Sequence, residues 1–211
     1  MAVTHLDLYN DALFILGERE LATIDEDVEP RHVLDQAWTK ARDYCLQQGH
    51  WKFALRSSKF DFTPSVTPAF GYSRAIEKPS DYIRTSRVCS DEFFNSPYSQ
   101  YTEEQGFWYS ELDSLYIQYV SNDTNYGYDY SAWPETFSYF VAAYLAFRIR
   151  RRIMPSLEAR EIAQELATAK DNALSKDAVE GPTQQLPVGK WVNARHGGRR
   201  KSYYDRTTRG V

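Results

Sequence analysis

Cysteine is nearly missing from this 211-residue chain, which holds only Cys45 and Cys89. Two thiols can neither staple a small domain together nor supply a four-thiolate zinc site. Cys45 falls in a helical pattern, where a free thiol behaves as a small buried hydrophobe. Long apolar runs are missing too. The most apolar stretch, 137–147, is too short to cross a bilayer, and Arg148, Arg150, Arg151 and Arg152 follow it at once. Residues 1–9 lack the basic region and apolar run of a secretory leader. The expectation is a soluble protein with no membrane partner, made in a reducing cytoplasm. Signatures of chemistry are absent as well. No G-x-G-x-x-G, phosphate-cradling glycine loop or G-x-S-x-G elbow occurs. His5, His32, His50 and His196 show no H-E-x-x-H spacing, and with two distant cysteines they give no zinc pattern. The sequence therefore leads us to expect no enzyme, no cofactor and no metal.

A chain of this length buries roughly 70% of its unfolded surface and needs no covalent staple. With 42% hydrophobic and 26% charged residues it matches globular composition, which excludes global disorder. Aromatics are plentiful: 16 Tyr, 11 Phe and 5 Trp. Tyr and Trp join apolar area to a polar tip, which suits either an assembly component or a β-rich core. The formal charge of −4 is unevenly distributed. From Gly181 onward seven basic residues face one acid, Asp205, so that segment carries +6 and residues 1–180 carry −10. An acidic body with a basic end implies an end that seeks an acidic surface. The candidates for that surface are another protein, a neighbouring copy and nucleic acid.

Periodicity orders the chain into helix, helix, strands, helix, helix and tail. Leu8, Ala12, Ile15 and Leu16 share one face of a first helix over 6–16, with Thr4 and Asp7 spaced as a capping box and Gly17 suited to the left-handed C-terminal position. The acidic link Asp25, Glu26, Asp27 and Glu29 reads as charge gathered before a helix N-terminus. A second helix over 30–48 opens on Pro30, closes on Gly49, and carries Val33, Leu34, Ala37, Trp38, Ala41, Tyr44 and Cys45 at helical spacing. Residues 51–131 change period. Strand-like runs cover 52–62, 72–77 and 82–89, and 107–111 with 115–120 read as a hairpin about Leu112-Asp113-Ser114. A long aromatic loop fills 91–107, and a polar, Tyr-rich loop follows at 120–131. A third helix starts at Trp133-Pro134 and is ended by Pro155; a fourth covers 156–176.

The expected fold is α+β: an antiparallel bundle of four main helices from 1–50 and 132–180, a mainly β insertion at 51–131, and an extended basic C-terminal arm at 181–211. Three features are candidates for binding. In the arm, Trp191, Tyr203 and Tyr204 are interleaved with Arg195, Arg199, Arg200, Lys201 and Arg206. That mixture suits phosphates and stacked bases, and it suits a protein groove equally. Arg148, Arg151 and Arg152 end the third helix, where cations complement the dipole and also offer a surface. Tyr126, Tyr128 and Tyr130 form either a contact surface in an oligomer or a loop packed onto the sheet.

The order of the pieces resembles the phage head-to-tail adaptor (connector) proteins of the tail tubular protein A type. Asn10-Asp11-Ala12-Leu13 through Leu16-Gly17-Glu18 is similar to that family's opening helix. Gly49-His50-Trp51-Lys52-Phe53-Ala54 resembles its His-Pro-Trp-Asn-Phe-Ala segment without the proline. Pro79-Ser80-Asp81-Tyr82-Ile83-Arg84 resembles its Leu-Pro-x-Asp-x-x-Arg, with Lys78 in the leucine's place. The strand Leu115–Val120, the helix start Trp133-Pro134-Glu135-Thr136-Phe137, the run Ala142–Ala146 and the tail piece Gly189–Arg195 continue the series. The resemblance implies a structural virion protein in the neck between capsid and tail, assembled in the host cytoplasm. It implies a dodecameric homo-oligomeric ring docked on the portal protein, joined to a tail or nozzle protein, and traversed by double-stranded DNA without sequence specificity. A DNA-binding module using the basic aromatic arm is the alternative.

Overall fold

Thr4 caps the first helix. Its hydroxyl accepts from Asp7 N at 3.2 Å while the Asp7 carboxylate accepts from Thr4 N at 2.9 Å, so the expected capping box is formed. The structure, a computed structural model, describes residues 3–155 and 158–180. Helix α1 runs His5–Leu16 and ends at Gly17, whose φ of 72° needs a residue without a Cβ. Asn10 then clamps the chain leaving the helix: its side-chain oxygen accepts from Leu21 N at 2.9 Å and its amide donates to Leu21 O at 3.2 Å. Helix α2 (Glu29–Gln47) has Pro30 as its second residue and no side-chain cap. The acids of the preceding link pair individually instead of capping it. Glu26 binds Arg19 and accepts from Ala22 N, Asp27 lies 2.8 Å from His32 Nε2, and Glu29 meets Arg152 at 3.0 Å.

Helix α3 (Glu135–Ile153) and helix α4 (Ala159–Glu180) follow the strands. Here the expected four-helix antiparallel bundle is corrected. α3 buries Phe140, Val141, Ala142 and Ala143 in succession, then Leu145, Ala146 and Ile149, so it is apolar around most of its circumference. A helix of that kind has to be surrounded. The main helix–helix packing is accordingly α1, α2 and α4 each against α3, not four helices sharing one seam. The same core takes in Trp51, Ala54 and Val120 from outside the helices. Among the described residues the chain is α+β, with four α-helices and two small sheets.

Both sheets are antiparallel and three-stranded. β1 (Leu55–Asp61), β6 (Ser114–Ser121) and β3 (Tyr82–Cys89) form one in that order; β2 (Arg74–Glu77), β5 (Phe107–Ser110) and β4 (Tyr101–Glu104) form the other. The expected β5–β6 hairpin is therefore corrected, because the two strands belong to different sheets. Buried Ser110 turns the chain between them: its Oγ accepts from Leu112 N and donates to Leu112 O, both at 3.2 Å. Within 91–107, read as loop, Tyr101–Glu104 pairs with β5. The signal for it was a turn glycine, Gly106, between two aromatic-bearing runs. A second core fills the space between the sheets. β6 alternates Leu115, Ile117 and Tyr119 into it, meeting Ile76, Val88 and Trp108.

Gly49 and Gly127 mark where elements close on one another. Gly49 does not adopt a left-handed cap; a Cβ there would lie 2.8 Å from the Trp51 ring and 3.0 Å from Leu174 of α4. A Cβ on Gly127 would lie 2.2 Å from the Ser121 carbonyl oxygen, a backbone atom that cannot rotate away. Gly127→Ala should lower stability by about 2–3 kcal/mol, whereas Gly106→Ala, with open space around the new methyl, should change it by less than about 0.5 kcal/mol. Urea denaturation of the two variants checks this; equal midpoints would refute the crowding at Gly127.

Candidate functional site

The chain divides into Met1–Gly181 and Pro182–Val211. Trp191, Arg195, Arg199, Arg200, Lys201, Tyr203, Tyr204 and Arg206 all lie outside the described residues, as do Leu157 and the start expected for the fourth helix. The candidate surfaces that can be described lie on the helices and at their junction with the first sheet.

That junction is built on Asp81. The turn at Pro79 places it beside the last residues of β6. Its carboxylate accepts from Arg56 at 2.9 Å, from Ser121 Oγ at 2.5 Å and from Tyr119 Oη at 3.2 Å, and its carbonyl accepts from Asn122 N at 2.9 Å. Burial acts to raise the Asp81 pKa, but the Ser121 and Arg56 hydrogen bonds and the Arg56 charge outweigh it and hold the carboxyl below its ordinary value. Tyr119 moves the other way: burial and the Asp81 charge push its phenol up, keeping it a donor. Beyond Asn122 the Tyr-rich loop folds tightly. Gly127 N donates to Ser121 O at 3.1 Å, and Gly127 O accepts from Trp133 Nε1 at 2.9 Å.

The three loop tyrosines are half-buried and packed on the chain itself. Tyr126 faces Arg56 of β1, with the guanidinium carbon 5.4 Å from the ring centre. Tyr128 and Tyr130 lie on α2. Tyr128 donates to Asp43 at 2.5 Å beneath Arg42, and Tyr130 accepts from Arg42 at 2.9 Å while its ring meets Trp38 edge-on. Packing against a helix was not among the expectations. Arg42 is the reason: a cation on α2 between two rings draws the loop to that side.

The arginines at the end of α3 diverge. Arg152 pairs with Glu29 at the start of α2, while Arg150 lies over Phe147 with its Nε buried. Arg148 and Arg151 are exposed. Arg148 sits 6.0 Å from the Tyr144 ring, which stacks on Tyr44 of α2 at 4.2 Å and 9°. Tyr44 is 38% exposed, though its helical spacing had assigned it to the core stripe. Together exposed Tyr44 and Arg148 and half-buried Tyr144 form an aromatic and cationic face across α2 and α3. Stacked phenols beside a guanidinium are a composition typical of interface anchors.

The Trp51 segment ties α4 to this assembly. Trp51 is buried, donates to Cys45 O at 3.0 Å and meets Phe137 edge-on. Lys52 N donates to Asp177 at 2.9 Å, and Lys170 donates to Gln48 at 2.8 Å. Two of the segments that carry the adaptor resemblance, Gly49–Ala54 and Pro79–Arg84, thus lie at junctions between elements, and Trp133 closes the tyrosine loop. Among the described residues no group of three or more His, Cys, Asp or Glu is placed to hold a metal, and no helix is long and apolar enough to cross a membrane. No protein-family model matches the chain, and no curated protein matches it.

Asp81 makes stability depend on pH in a defined direction. Its pKa is lower folded than unfolded, so its contribution is present above the unfolded value, near ~4, and is lost as pH falls through the folded value. Asp81→Asn should cost about 2 kcal/mol at neutral pH and progressively less in acid. Thermal melts across that range check it; a cost that stayed constant into acid would refute the ionic role.

Proposed function

We propose that this chain is a structural virion protein without catalytic activity, a head-to-tail adaptor in the neck of a phage particle. Copies form a ring, dodecameric by resemblance, that links the portal protein to a tail or nozzle protein and lines the channel through which double-stranded DNA leaves. Assembly takes place in the host cytoplasm. The observation that carries this reading is the division of charge, −10 over residues 1–180 against +6 over the remainder, in a chain whose pieces follow the adaptor order nearly end to end. An acidic channel wall repels phosphates and lets DNA slide without sequence readout. The basic arm is the docking element, with Trp191 as its aromatic anchor and Arg195, Arg199, Arg200, Lys201 and Arg206 as its charges. Such an arm offsets the entropy of ordering with a few buried rings and ion pairs. The Tyr44–Tyr144 stack beside Arg148 serves as a lateral contact between copies.

The second reading, a DNA-binding module, rests on the same arm, where seven cations are interleaved with Trp191, Tyr203 and Tyr204. The two readings separate by salt. With about six cations on duplex DNA, log affinity would fall with log salt at a slope of roughly −5. The adaptor reading expects no tight DNA binding by the acidic assembly.

Trp191→Ala combined with Arg195→Ala should leave the fold intact and yield heads that fail to join tails or to retain DNA. Electron microscopy of particles from a complementation experiment is the measurement. Normal joining and retention would remove the arm's docking role.

A further inference from the structure

A cavity of about 390 Å³ opens between α1, α3 and α4. Asp7, Asp11, Glu135, Tyr139 and Asn172 stand exposed around it, and buried Ser138 and Ala169 close its inner end. Among the described residues no lysine or arginine lines it. Asp7 and Glu135 have local reasons to be acidic, since each lies in the first turn of its helix, where the dipole favours negative charge. Asp11 has none. It sits mid-helix and forms no ion pair among the described residues. Burial raises its carboxyl above the ordinary range, and the charges of Asp7 and Glu20 add to the effect. A cation beside it would reverse that strain.

Ser138 supplies an independent sign of a ligand. It is 4% exposed, yet among the described residues its Oγ has no hydrogen-bond partner. A buried hydroxyl without a partner costs stability, and an alanine in its place would not. A bound donor would satisfy it. The cavity thus offers carboxylates at its mouth, the Tyr139 ring at its side and an unused acceptor at its inner end. A guanidinium fits that set best: it is planar, always charged, carries five donors and stacks on aromatic rings. The volume lies at the small end of ligand cavities, roughly 300–1,000 Å³, which suits one long side chain with its neighbours.

We infer that this cavity binds an arginine side chain from residues 187–206 of a second copy, so that the basic arm of one subunit locks into the acidic helical face of the next. The source of the arginine rests on the adaptor reading, because a ring brings copies side by side. Charge complementarity selects the segment: most of the chain's basic excess lies there, with one acid among seven cations from Gly181 onward. The lock ties subunit to subunit, and its contacts are distinct from the Tyr44–Tyr144 face.

The test uses the full-length protein and a fluorescent synthetic peptide of residues 187–206, read by anisotropy. Asp11→Asn with Glu135→Gln should weaken binding about tenfold or more, while Asp25→Asn with Glu92→Gln, an equal loss of charge elsewhere, should leave it unchanged. Ser138→Ala should weaken the peptide about threefold while the melting temperature stays level or rises, a split that a purely structural serine would not give. Unchanged binding by the Asp11 and Glu135 variant, or equal binding of a scrambled peptide of the same charge, would overturn the inference. Sedimentation velocity distinguishes the two readings. Peptide seated in the cavity of a chain that stays monomeric at every concentration sinks the ring and leaves the guanidinium site standing. Rings that form equally well in wild type and cavity variant sink the lock and leave the ring.

Discussion

Helix α3 is buried around most of its circumference. Phe140 to Ala143 are buried in succession, Leu145, Ala146 and Ile149 continue the burial, and the arginines are held to the last turn and a half. An element of this kind cannot stand until its apolar sides are covered, and the other helices are arranged to cover them, while the two sheets enclose a core of their own. Three helices supply the cover. The turn after α2 and the end of β6 add Trp51, Ala54 and Val120 to the same core. Small residues at 142, 143 and 146 let neighbouring helices approach closely, while Phe137 and Phe140 fill the wider gap toward Trp51. The energetic weight lies in this burial, at roughly 25 cal/mol for each Å² of apolar surface removed from water.

Polar groups then fix how the layers meet. Apolar contact specifies that surfaces touch but leaves their register loose; a buried donor and acceptor do not. Asp81 fastens the β3 turn to β1 and β6 with one carboxylate. Glu103 does the same between the sheets, accepting from Trp108 Nε1 at 2.8 Å and from Tyr82 and Thr85, with Lys78 alongside. Arg42 draws the tyrosine loop onto α2. The Asp81 and Glu103 carboxylates are satisfied on nearly all sides, and Arg42, although its buried Nε makes no hydrogen bond, holds Tyr130 and lies over Tyr128, so all three act as joints. The cavity beside Ser138 differs, because Asp11 forms no ion pair and the Ser138 hydroxyl no hydrogen bond among the described residues, while Asp7 is engaged by Thr4.

This contrast gives the functional reading its shape. The aromatics that enrich the composition are mostly consumed inside, in Trp51, Trp108, Trp133 and their ring neighbours. Among the described residues Phe14, Tyr44, Phe70, Phe93 and Tyr139 are left exposed, and of these Tyr44 stacks on half-buried Tyr144 beside Arg148. The surfaces proposed for partners are that stacked face, the acidic cavity, and the basic segment 181–211, which lies outside the described residues. A building block joined by several modest contacts assembles by multivalency, with each weak contact strengthened by the others.

How much could be read from residues alone varies by element, and the cause is the range of the interaction involved. α1 with its capping box and Gly17, α2, α3 and the strand 82–89 were legible, because caps, turn residues and 3.6- or 2-residue periods are local. The breadth of α3's buried surface was visible as the apolar stretch 137–147, but that it would be surrounded by three helices and not join a four-helix bundle depends on what the rest of the chain offers. Strand partners were not legible. Phe107–Ser110 and Ser114–Ser121 have the look of a hairpin, yet each pairs with strands 25 or more residues distant for its other neighbour. The candidate surfaces follow the same rule. The basic arm and its Trp191 could be found by counting charges. The sequence alone determined the local helices and the division of charge between residues 1–180 and the basic segment from 181; the tertiary structure decided that, among the described residues, Asp11 stays unpaired, Tyr44 faces outward and Ser138 lies buried without a partner, because those properties belong to spaces between elements that no single stretch of chain encodes.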